Sequence, residues 1–301
     1  LLCTLHYLPI SDKTCLSVSI QNRHRPLDEY KQLIESNQTD KDGNLIYLYT
    51  TDKTAQYSYI KAATDKGYDV LVIDDQLGSH FVGLLERKLE KSRFVRVDSD
   101  VIENLIVKED RKTAELSTSE RNIMTELFKS QIPTVEKSEF LVSFEALSEN
   151  TQPVQITQSE YMRRMKEMAA MQSGMSFYGD LPDSYSVILN TEHPLIKRVM
   201  DDAKAALNDK VMPMEESIDS INKTVAELRD KKDATEAEKL QITENEAKAE
   251  SIRKEENEAI RTYAASNPLI KQLIDLALLG NNLLKGQALD EFLKRSVELL
   301  T

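Results

Sequence analysis

The chain has 301 residues, 40% of them hydrophobic, so it is long enough for two domains and can bury a substantial core. Its formal net charge of -12 disfavours nucleic acid and anionic membranes as partners, because no local cluster of basic residues offsets the repulsion. Cys3 and Cys15 form no Cys-x-x-Cys pair, and no apolar run approaches the ~20 residues of a membrane span, so the sequence predicts a cytoplasmic protein without a disulfide framework or zinc site.

A β-α-β pattern dominates the first third of the chain. Residues 1–26 have no firm hydrophobic period, and no element is predicted there. From Leu45 onward the pattern predicts a strand, a helix that begins near Asp52 and ends at Gly67, and a continuously apolar strand, VLVI. Strands joined by a crossover helix should be parallel, and a continuously apolar strand should be buried on both faces. With the amphipathic SHFVGLLERKLEKS and the short strand RFVRV, this predicts a small three-layer module of the α/β class.

The polar stretch 106–118 predicts a linker, which separates a first domain, residues 1–110, from a second, residues 111–301. The second domain should begin with a helix capped by Ser117 or Ser119. Strands are predicted in EFLVSFEAL, QPVQIT and YSVILN, so this domain is expected to be mixed α/β, of the α+β type. Its first helix carries an apolar stripe formed by Ile123, Met124, Leu127 and Phe128.

Residues 214–263 are rich in Glu, Lys, Asp and Ala and carry apolar residues at helical spacing. The pattern predicts either a helical hairpin or one broken long helix, with Asp233 and Glu236 forming a capping box at the start of the second half. Alternating charges along helices are typical of a solvated face. An extended coiled coil here would instead make the chain a structural scaffold, which is one alternative function.

The two last helices have clear local signals. Asn267 should cap the first of them, Pro268 occupies its first position and Gly280 ends it. That helix is apolar nearly all round, and the final helix has one apolar face. The rest of the domain can cover part of this apolar surface, and a second copy of the chain can cover the remainder. This predicts a two-fold, four-helix bundle in a homodimer. The predicted interface comprises Leu273, Ile274, Ala277, Leu278, Leu289, Phe292, Leu293 and Val297.

Methionines concentrate in the stretch EYMRRMKEMAAMQSGMSFYG, residues 160–179. Their spacing on the predicted helix forms a wide band opposite arginine, lysine and glutamate. Such a band is compatible with core packing and with an adaptable binding surface, since methionine is flexible and polarisable. The apolar loop between two glycines that follows favours binding. The residues concerned are Met162, Met165, Met168 and Met171 on the helix, and Met175, Phe177 and Tyr178 in the loop.

Catalytic signals are weak. The four histidines are scattered, and the sequence has no phosphate-binding glycine loop and no nucleophile elbow. Asp74 and Asp75, at the end of the VLVI strand, suggest the magnesium pocket of a phosphoreceiver domain, the second alternative function, but the later strand-end residues of such a pocket have no counterpart. No catalytic, metal or cofactor-binding residue is therefore predicted, and this stretch is expected not to be an enzyme.

Ordered blocks of sequence carry a family resemblance. IYLYTTDKTAQYSYIKAATDKGYDVLVIDDQLGSHFVGLLERKLEKSRFVRVDSDV, SEYMRRMKEMAAM, SYSVILNTEHPLIKRV and NPLIKQLIDLALLGNNLLKGQALDEFLKRSVELL resemble the latter half of bacterial chaperones of the heat shock protein 90 family. The resemblance covers residues 27–210 and 264–301, and residues 214–263 are interpreted as a charged helical insertion. It implies that residues 1–110 are the C-terminal subdomain of the middle domain and that the rest is the C-terminal dimerisation domain.

The same resemblance carries functional expectations for a stress-response chaperone. It implies an ATP- and magnesium-dependent protein whose nucleotide-binding domain would lie upstream, so this stretch should need no cofactor and hydrolyse no ATP. It also implies that the methionine helix contacts non-native client proteins through Met162, Met165, Met168 and Met171. The apolar loop residues Met175, Phe177 and Tyr178 are included in the predicted client-binding surface on the sequence pattern alone. Because the sequence ends in VELLT, helper proteins that dock on an acidic C-terminal pentapeptide are not expected to bind.

Overall fold

The computed structural model describes residues 2–8, 15–20, 23–73, 78–108, 114–171, 182–230 and 235–298. The chain divides into two compact units that alternate along the sequence. Unit 1 comprises Leu1–Lys112, Val135–Leu141 and Gln155–Val187, and unit 2 comprises Thr113–Thr134, Val142–Val154 and Ile188–Thr301. The structure is mixed α/β and ends in helices, so the predicted fold class is confirmed. The domain boundary at residue 110 stays a prediction.

Two sheets are present in the described part of the chain. The first has six strands in the order β3-β2-β1-β5-β4-β6, in which β4 pairs in parallel with β5 and β6, and β1 in parallel with β5. β2 is antiparallel to both of its neighbours. The second sheet has the order β7-β9-β8. The strands are β1 (Leu2–Leu8), β2 (Cys15–Ile20), β3 (Arg23–Pro26), β4 (Leu45–Thr50), β5 (Val70–Val72), β6 (Ser92–Arg96), β7 (Ser138–Glu145), β8 (Val154–Gln158) and β9 (Asp183–Asn190).

The parallel strands predicted from Leu45 onward are confirmed, as are the three strands of the second sheet. Residues 1–26, for which no element was predicted, contribute β1, β2 and β3. Antiparallel strands of this kind depend on cross-strand pairing, so a short segment without a continuous apolar run can still join a sheet.

The helices described are α1 (Leu27–Gln38), α2 (Tyr57–Asp65), α3 (Gly78–Lys88), α4 (Ile102–Leu105), α5 (Thr118–Lys129), α6 (Glu160–Met171), α7 (Pro194–Arg229), α8 (Glu236–Ser266), α9 (Pro268–Gly280) and α10 (Gly286–Glu298). The predicted start of α2 near Asp52 was wrong. The Asp52 carboxylate accepts hydrogen bonds from the backbone N–H groups of Thr54 and Ala55, which forms a turn, and the helix begins only at Tyr57. It ends before Gly67, whose φ of 77° is left-handed, as expected at a helix stop.

Strand β4 of unit 1 is buried on both faces. Along β4, Leu45, Tyr47 and Tyr49 belong to one apolar cluster, which includes residues of α1 and α3. The intervening Ile46 and Leu48 belong to a second cluster, which includes residues of α2 and α4. Alternate side chains of a strand point to opposite faces, so both layers of helices are needed to cover β4. The predicted three-layer module is confirmed.

Unit 2 begins with α5, whose cap was predicted. The Ser117 hydroxyl accepts the backbone N–H of Glu120 at 3.2 Å, and the Glu120 carboxylate accepts the backbone N–H of Ser117 at 2.6 Å. A hydrogen bond from Lys204 and the contacts of Ser117 hold the pKa of Glu120 down, at about 2. The predicted apolar stripe is buried and comprises Ile123, Met124, Leu127 and Phe128.

The charged stretch forms a hairpin in which α7 and α8 pack along each other. The predicted capping box at Asp233 and Glu236 was wrong. Instead the Thr235 hydroxyl accepts the backbone N–H of Glu238 at 3.3 Å, and the Glu238 carboxylate accepts the backbone N–H of Thr235 at 2.8 Å. Both Asp233 and Thr235 are followed by a glutamate three residues later, so the sequence carries two overlapping capping signals, and α8 starts at the second of them. Asp233 lies outside the described residues.

Candidate functional site

Helix α6, which contains the methionines, is held within unit 1 by its charged side. Arg163 is only 6% exposed. Its guanidinium donates to the Tyr49 hydroxyl at 2.6 Å and to Glu160 Oε1 at 2.8 Å, and it also contacts Glu167. The Tyr49 hydroxyl in turn donates to Glu160 Oε1 at 2.7 Å. Strand β4 and the first turn of α6 are therefore joined by a closed set of charge-assisted hydrogen bonds.

Arg164 extends this network to two further elements. Its guanidinium donates to Glu160 Oε1 at 2.6 Å, to Glu86 Oε2 of α3 at 2.9 Å and to the backbone oxygen of Phe94 in β6 at 2.5 Å. The bond to the backbone carbonyl of buried Phe94 attaches α6 to β6 as well as to β4. We refer to Tyr49, Glu86, Glu160, Arg163 and Arg164 as the arginine network.

The charges of the arginine network stabilise one another. Burial alone would raise the pKa of Glu160, but the charges of Arg163 and Arg164 outweigh it and hold the pKa below its usual value. Burial and the neighbouring Glu160 raise the pKa of the Tyr49 hydroxyl. Tyr49 therefore stays protonated and donates a hydrogen bond at neutral pH, while Glu160 stays ionised and accepts several.

The arginine network leaves another side of α6 turned outward. Tyr161 is 69% exposed, and on a helix with 3.6 residues per turn Met165 lies about 40° from it. Met165 is half-buried. Met162, also half-buried, lies within about 20° of Ala169, which is buried. Met165 thus lies midway between exposed Tyr161 and buried Ala169, about 40° from each, whereas Met162 lies on the covered side of the helix.

The remaining predicted client contacts fall outside what the structure describes. The backbone of α6 extends to Met171, but the side chains of Met168 and Met171 are not among the described ones. Met175, Phe177 and Tyr178 lie in residues 172–181, which are also outside the described ranges. Client binding by this set of residues stays a prediction.

In unit 2, the structure separates the residues predicted to form a dimer interface. Leu293 and Val297 of α10 are 54% and 62% exposed, and Leu289 is half-buried. Two further exposed leucines, Leu276 and Leu279 of α9, were not among the predicted set. Those already buried in a single copy are Leu273, Ile274, Ala277, Leu278 and Phe292. The exposed large apolar side chains of α9 and α10 are therefore Leu276, Leu279, Leu293 and Val297.

A buried carboxylate joins the two terminal helices. Asp275 of α9 is 0% exposed and contacts Arg295 of α10, while Lys271, one turn earlier on α9, donates to its Oδ1 at 2.6 Å. Gln272 reinforces the contact by donating to the Ser296 hydroxyl at 3.0 Å and accepting from Arg295 at 3.1 Å. This ion cluster was not predicted, because the sequence shows Asp275 as a lone acidic residue in an apolar helix.

The described residues include no group of three or more His, Cys, Asp and Glu side chains placed to hold a metal ion. They also include no helix long and apolar enough to cross a membrane. Asp74 and Asp75, on which the phosphoreceiver alternative rests, lie outside the described ranges. One of the scattered histidines has a structural role, since His193 Nδ1 accepts the backbone N–H of Leu195 at 3.1 Å and caps α7.

Comparison with known proteins gives the family. No family model matches the chain. It is 50% identical over 296 residues to the chaperone protein HtpG of Bacteroides thetaiotaomicron and 47% identical over 296 residues to that of Bacteroides fragilis strain 638R, in each case covering 96% of this chain and 44% of the relative. It is 48% identical over 279 residues to the HtpG of Porphyromonas gingivalis strain W83, covering 91% of this chain and 41% of the relative.

The chain thus spans less than half the length of these curated relatives. Two of these matches cover 96% of the chain. The uncovered part is shorter than the charged stretch 214–263, so the matches include at least part of that stretch. The resemblance seen in the ordered sequence blocks is confirmed. With about half of its residues identical across almost its whole length, the chain belongs to the HtpG chaperones of the heat shock protein 90 family.

Proposed function

We propose that this chain provides homodimerisation and part of the client-binding surface of an ATP-dependent cytoplasmic chaperone. The relatives named as HtpG chaperones support this reading. The observation that carries it is the arrangement of α6, which the arginine network holds by its charged side while Tyr161 is exposed and Met165 lies half-buried beside it. ATP and magnesium are assigned to other parts of the full-length protein, and no cofactor is assigned to this stretch.

Client binding through α6 would depend on the flexibility and polarisability of its methionine side chains. A non-native protein presents apolar groups in no fixed arrangement, and methionine can meet them by changing rotamer. Burial of apolar surface contributes about 25 cal/mol per Å², so a patch of a few side chains gives weak, broad affinity. Such affinity suits repeated binding and release. Because α6 is already held rigidly, the helix loses little conformational entropy when a client binds. This reduces the free-energy cost of association.

Dimerisation would use the exposed side chains of the terminal helices, Leu276, Leu279, Leu293 and Val297. Packing them against their copies removes apolar surface from water in a two-fold arrangement. A pair of chains joined in this way raises the effective concentration of any upstream domains for each other. Nucleotide-driven closure of the full-length protein would then be an intramolecular step.

The client-binding proposal predicts that Met165→Ser weakens suppression of client aggregation while lowering the free energy of unfolding by about 1 kcal/mol or less. The physical reason is that Met165 is half-buried and adjacent to the exposed Tyr161. The measurements are light scattering from a heat-unfolded client mixed with the chain, and thermal unfolding of the chain alone.

The matched control is Met124→Ser in α5, where methionine is 1% exposed. This change should cost about 2–5 kcal/mol in stability, as expected of a core position. If Met165→Ser destabilised the chain as much as the control does, Met165 would be a core residue and the client-binding role of this side of α6 would be lost.

The dimerisation proposal predicts that Leu293→Asp converts a dimer into monomers without a large change in melting temperature. A charge on an exposed helix face is harmless in one copy but is buried unpaired between two. The mass of the chain, measured by multi-angle light scattering at tens of micromolar, reports the result. Leu240→Asp, at an exposed leucine of α8, is the control and should leave the mass unchanged.

Phe292 distinguishes dimerisation from folding. Its side chain is buried within a single copy, so Phe292→Asp should lower the melting temperature as well as the mass. A parent chain that remained monomeric and folded at high micromolar concentration would contradict the dimerisation proposal directly.

A further inference from the structure

A polar groove of about 600 Å³ lies within unit 2, among α5, α7 and α8. Its lining includes Thr118 and Asn122 of α5, Glu215 of α7, and Arg253 and Glu256 of α8. One lining residue is apolar, Ile218. A groove of this size can hold an extended side chain or a small organic molecule. The hairpin of α7 and α8 supplies two of its three walls, so the groove is a product of the charged stretch.

Glu256 is the unusual member of this lining. It is only 5% exposed, and the described residues provide no hydrogen-bond donor to its carboxylate. Across the groove, Glu215 Oε1 is buried and likewise finds no donor within the described chain. A buried carboxylate that lacks donors is unfavourable by several kcal/mol unless it gains a proton or a cation. Glu256 and the buried Oε1 of Glu215 line the same groove, which indicates that a donor is missing.

The charges around the groove favour a cationic partner. Its lining carries four carboxylates, on Glu126, Glu215, Asp219 and Glu256, against the single guanidinium of Arg253. Glu126 is already paired with Arg261 at 2.5 Å. The remaining three carboxylates therefore outnumber the single guanidinium, and the lining has an excess of acidic groups. Burial, and then the charge of Glu215, raise the pKa of Glu256, while Arg253 acts in the opposite direction.

We propose that this groove binds a primary alkylammonium group, carried by a free polyamine or by the side chain of a lysine. An ammonium has three donors, which can be shared between Glu215, Glu256 and a hydroxyl or amide oxygen of α5 such as that of Thr118 or Asn122. The volume of the groove and its neutral polar wall suit an alkyl chain that ends in such a group. The described residues here do not form a three-ligand metal cluster, which favours an organic cation over a metal ion.

The test uses titration calorimetry on the full chain at low salt, with spermidine as one probe and the acetylated, amidated peptide Gly-Lys-Gly as the other. Pentane-1,5-diol serves as an uncharged probe, and magnesium chloride alone is titrated separately. Saturable binding of spermidine or of the peptide, but not of the diol, supports the proposal. Binding of spermidine alone identifies a free polyamine as the source, and binding of the peptide identifies a lysine side chain.

Glu256→Gln is expected to weaken the binding of the ammonium probe by about tenfold to a hundredfold, because one charge-assisted hydrogen bond is lost. Glu255→Gln is the matched control, since Glu255 is the exposed neighbour on the same helix. Glu215→Gln is a second variant with the same expected loss. Circular dichroism should show both groove variants folded, because neutral amides replace carboxylates that repel each other.

Affinity for the ammonium probe is also expected to fall as the pH is lowered, because protonation of Glu256 removes the charge that attracts it. The absence of saturable binding by either ammonium probe would overturn the proposal, as would equal losses in Glu256→Gln and Glu255→Gln. Magnesium binding that Glu256→Gln abolishes would overturn the assignment of an organic cation.

Discussion

Replacing Arg163 by alanine is expected to lower the free energy of unfolding by about 3–5 kcal/mol, one of the two largest effects predicted here. The guanidinium is 6% exposed and donates to Tyr49 and Glu160. Its removal leaves the Glu160 carboxylate with less compensating charge in a buried site, so the pKa of Glu160 should rise. Urea unfolding, followed by circular dichroism, measures the change in stability.

The same substitution should reduce suppression of client aggregation, because α6 would lose part of its attachment to β4. Lys166→Ala on the same helix is the control. Lys166 pairs with Asp183 at 2.6 Å, but both side chains are partly exposed, so the expected loss is about 1 kcal/mol or less. If the two variants were equally stable, the arginine network would not be what holds α6 in place.

Acidification offers a further check on the arginine network. The folded-state pKa of Glu160 lies below its ordinary value, so Glu160 stabilises the fold at pH values above that ordinary value. This contribution is lost as the pH falls through the lowered pKa. In Arg163→Ala the loss should occur at higher pH, since the neighbouring charge that depresses the pKa is gone.

Local chemistry in the sequence was sufficient to predict several elements. The cap at Ser117 followed from a serine with a glutamate three residues later, and the start of α9 followed from Asn267 and Pro268. The two-faced burial of β5 followed from the continuous apolar run VLVI. Each of these signals lies within a few residues, so it does not depend on how the rest of the chain folds.

Contacts between distant residues could not be predicted in this way. Tyr49 and Glu160 are separated by 111 residues in sequence, and nothing local indicates that they share a hydrogen bond. The charged side of α6 is also misleading in sequence, where Arg163 and Arg164 are typical of a solvated face. In the structure they are largely covered, because carboxylates from α3 and α6 and a carbonyl from β6 meet them.

The terminal helices show a related ambiguity. A helix that is apolar nearly all round needs covering on several sides, but the pattern does not say whether its own chain or a second copy covers each side. Ile274 and Leu278 are fully buried in one copy, whereas Leu276 and Leu279, which have the same apolar character, are exposed. Only the three-dimensional packing separates these two sets.

Asp275→Ala is the second change for which a large effect is expected, a loss of about 3–5 kcal/mol. Asp275 is 0% exposed and accepts from Lys271 and Arg295, so its removal leaves two positive charges near each other and Arg295 without its buried partner. Thermal and urea unfolding report the loss. The control is Asp290→Ala on α10, where the pair with Lys294 is exposed and worth about 0.5 kcal/mol.

The double variant Asp275→Leu, Arg295→Leu tests why Asp275→Ala loses stability. The loss can come from the unpaired buried charge of Arg295 or from the missing attraction between Asp275 and Arg295. Replacing a buried ion pair by apolar groups can be neutral, because both desolvation penalties disappear together. The double variant is therefore expected to be more stable than Asp275→Ala. Lys271, which is partly exposed, can turn its ammonium toward water. A double variant less stable than the single one would show that the ion cluster contributes net stability to the contact between α9 and α10.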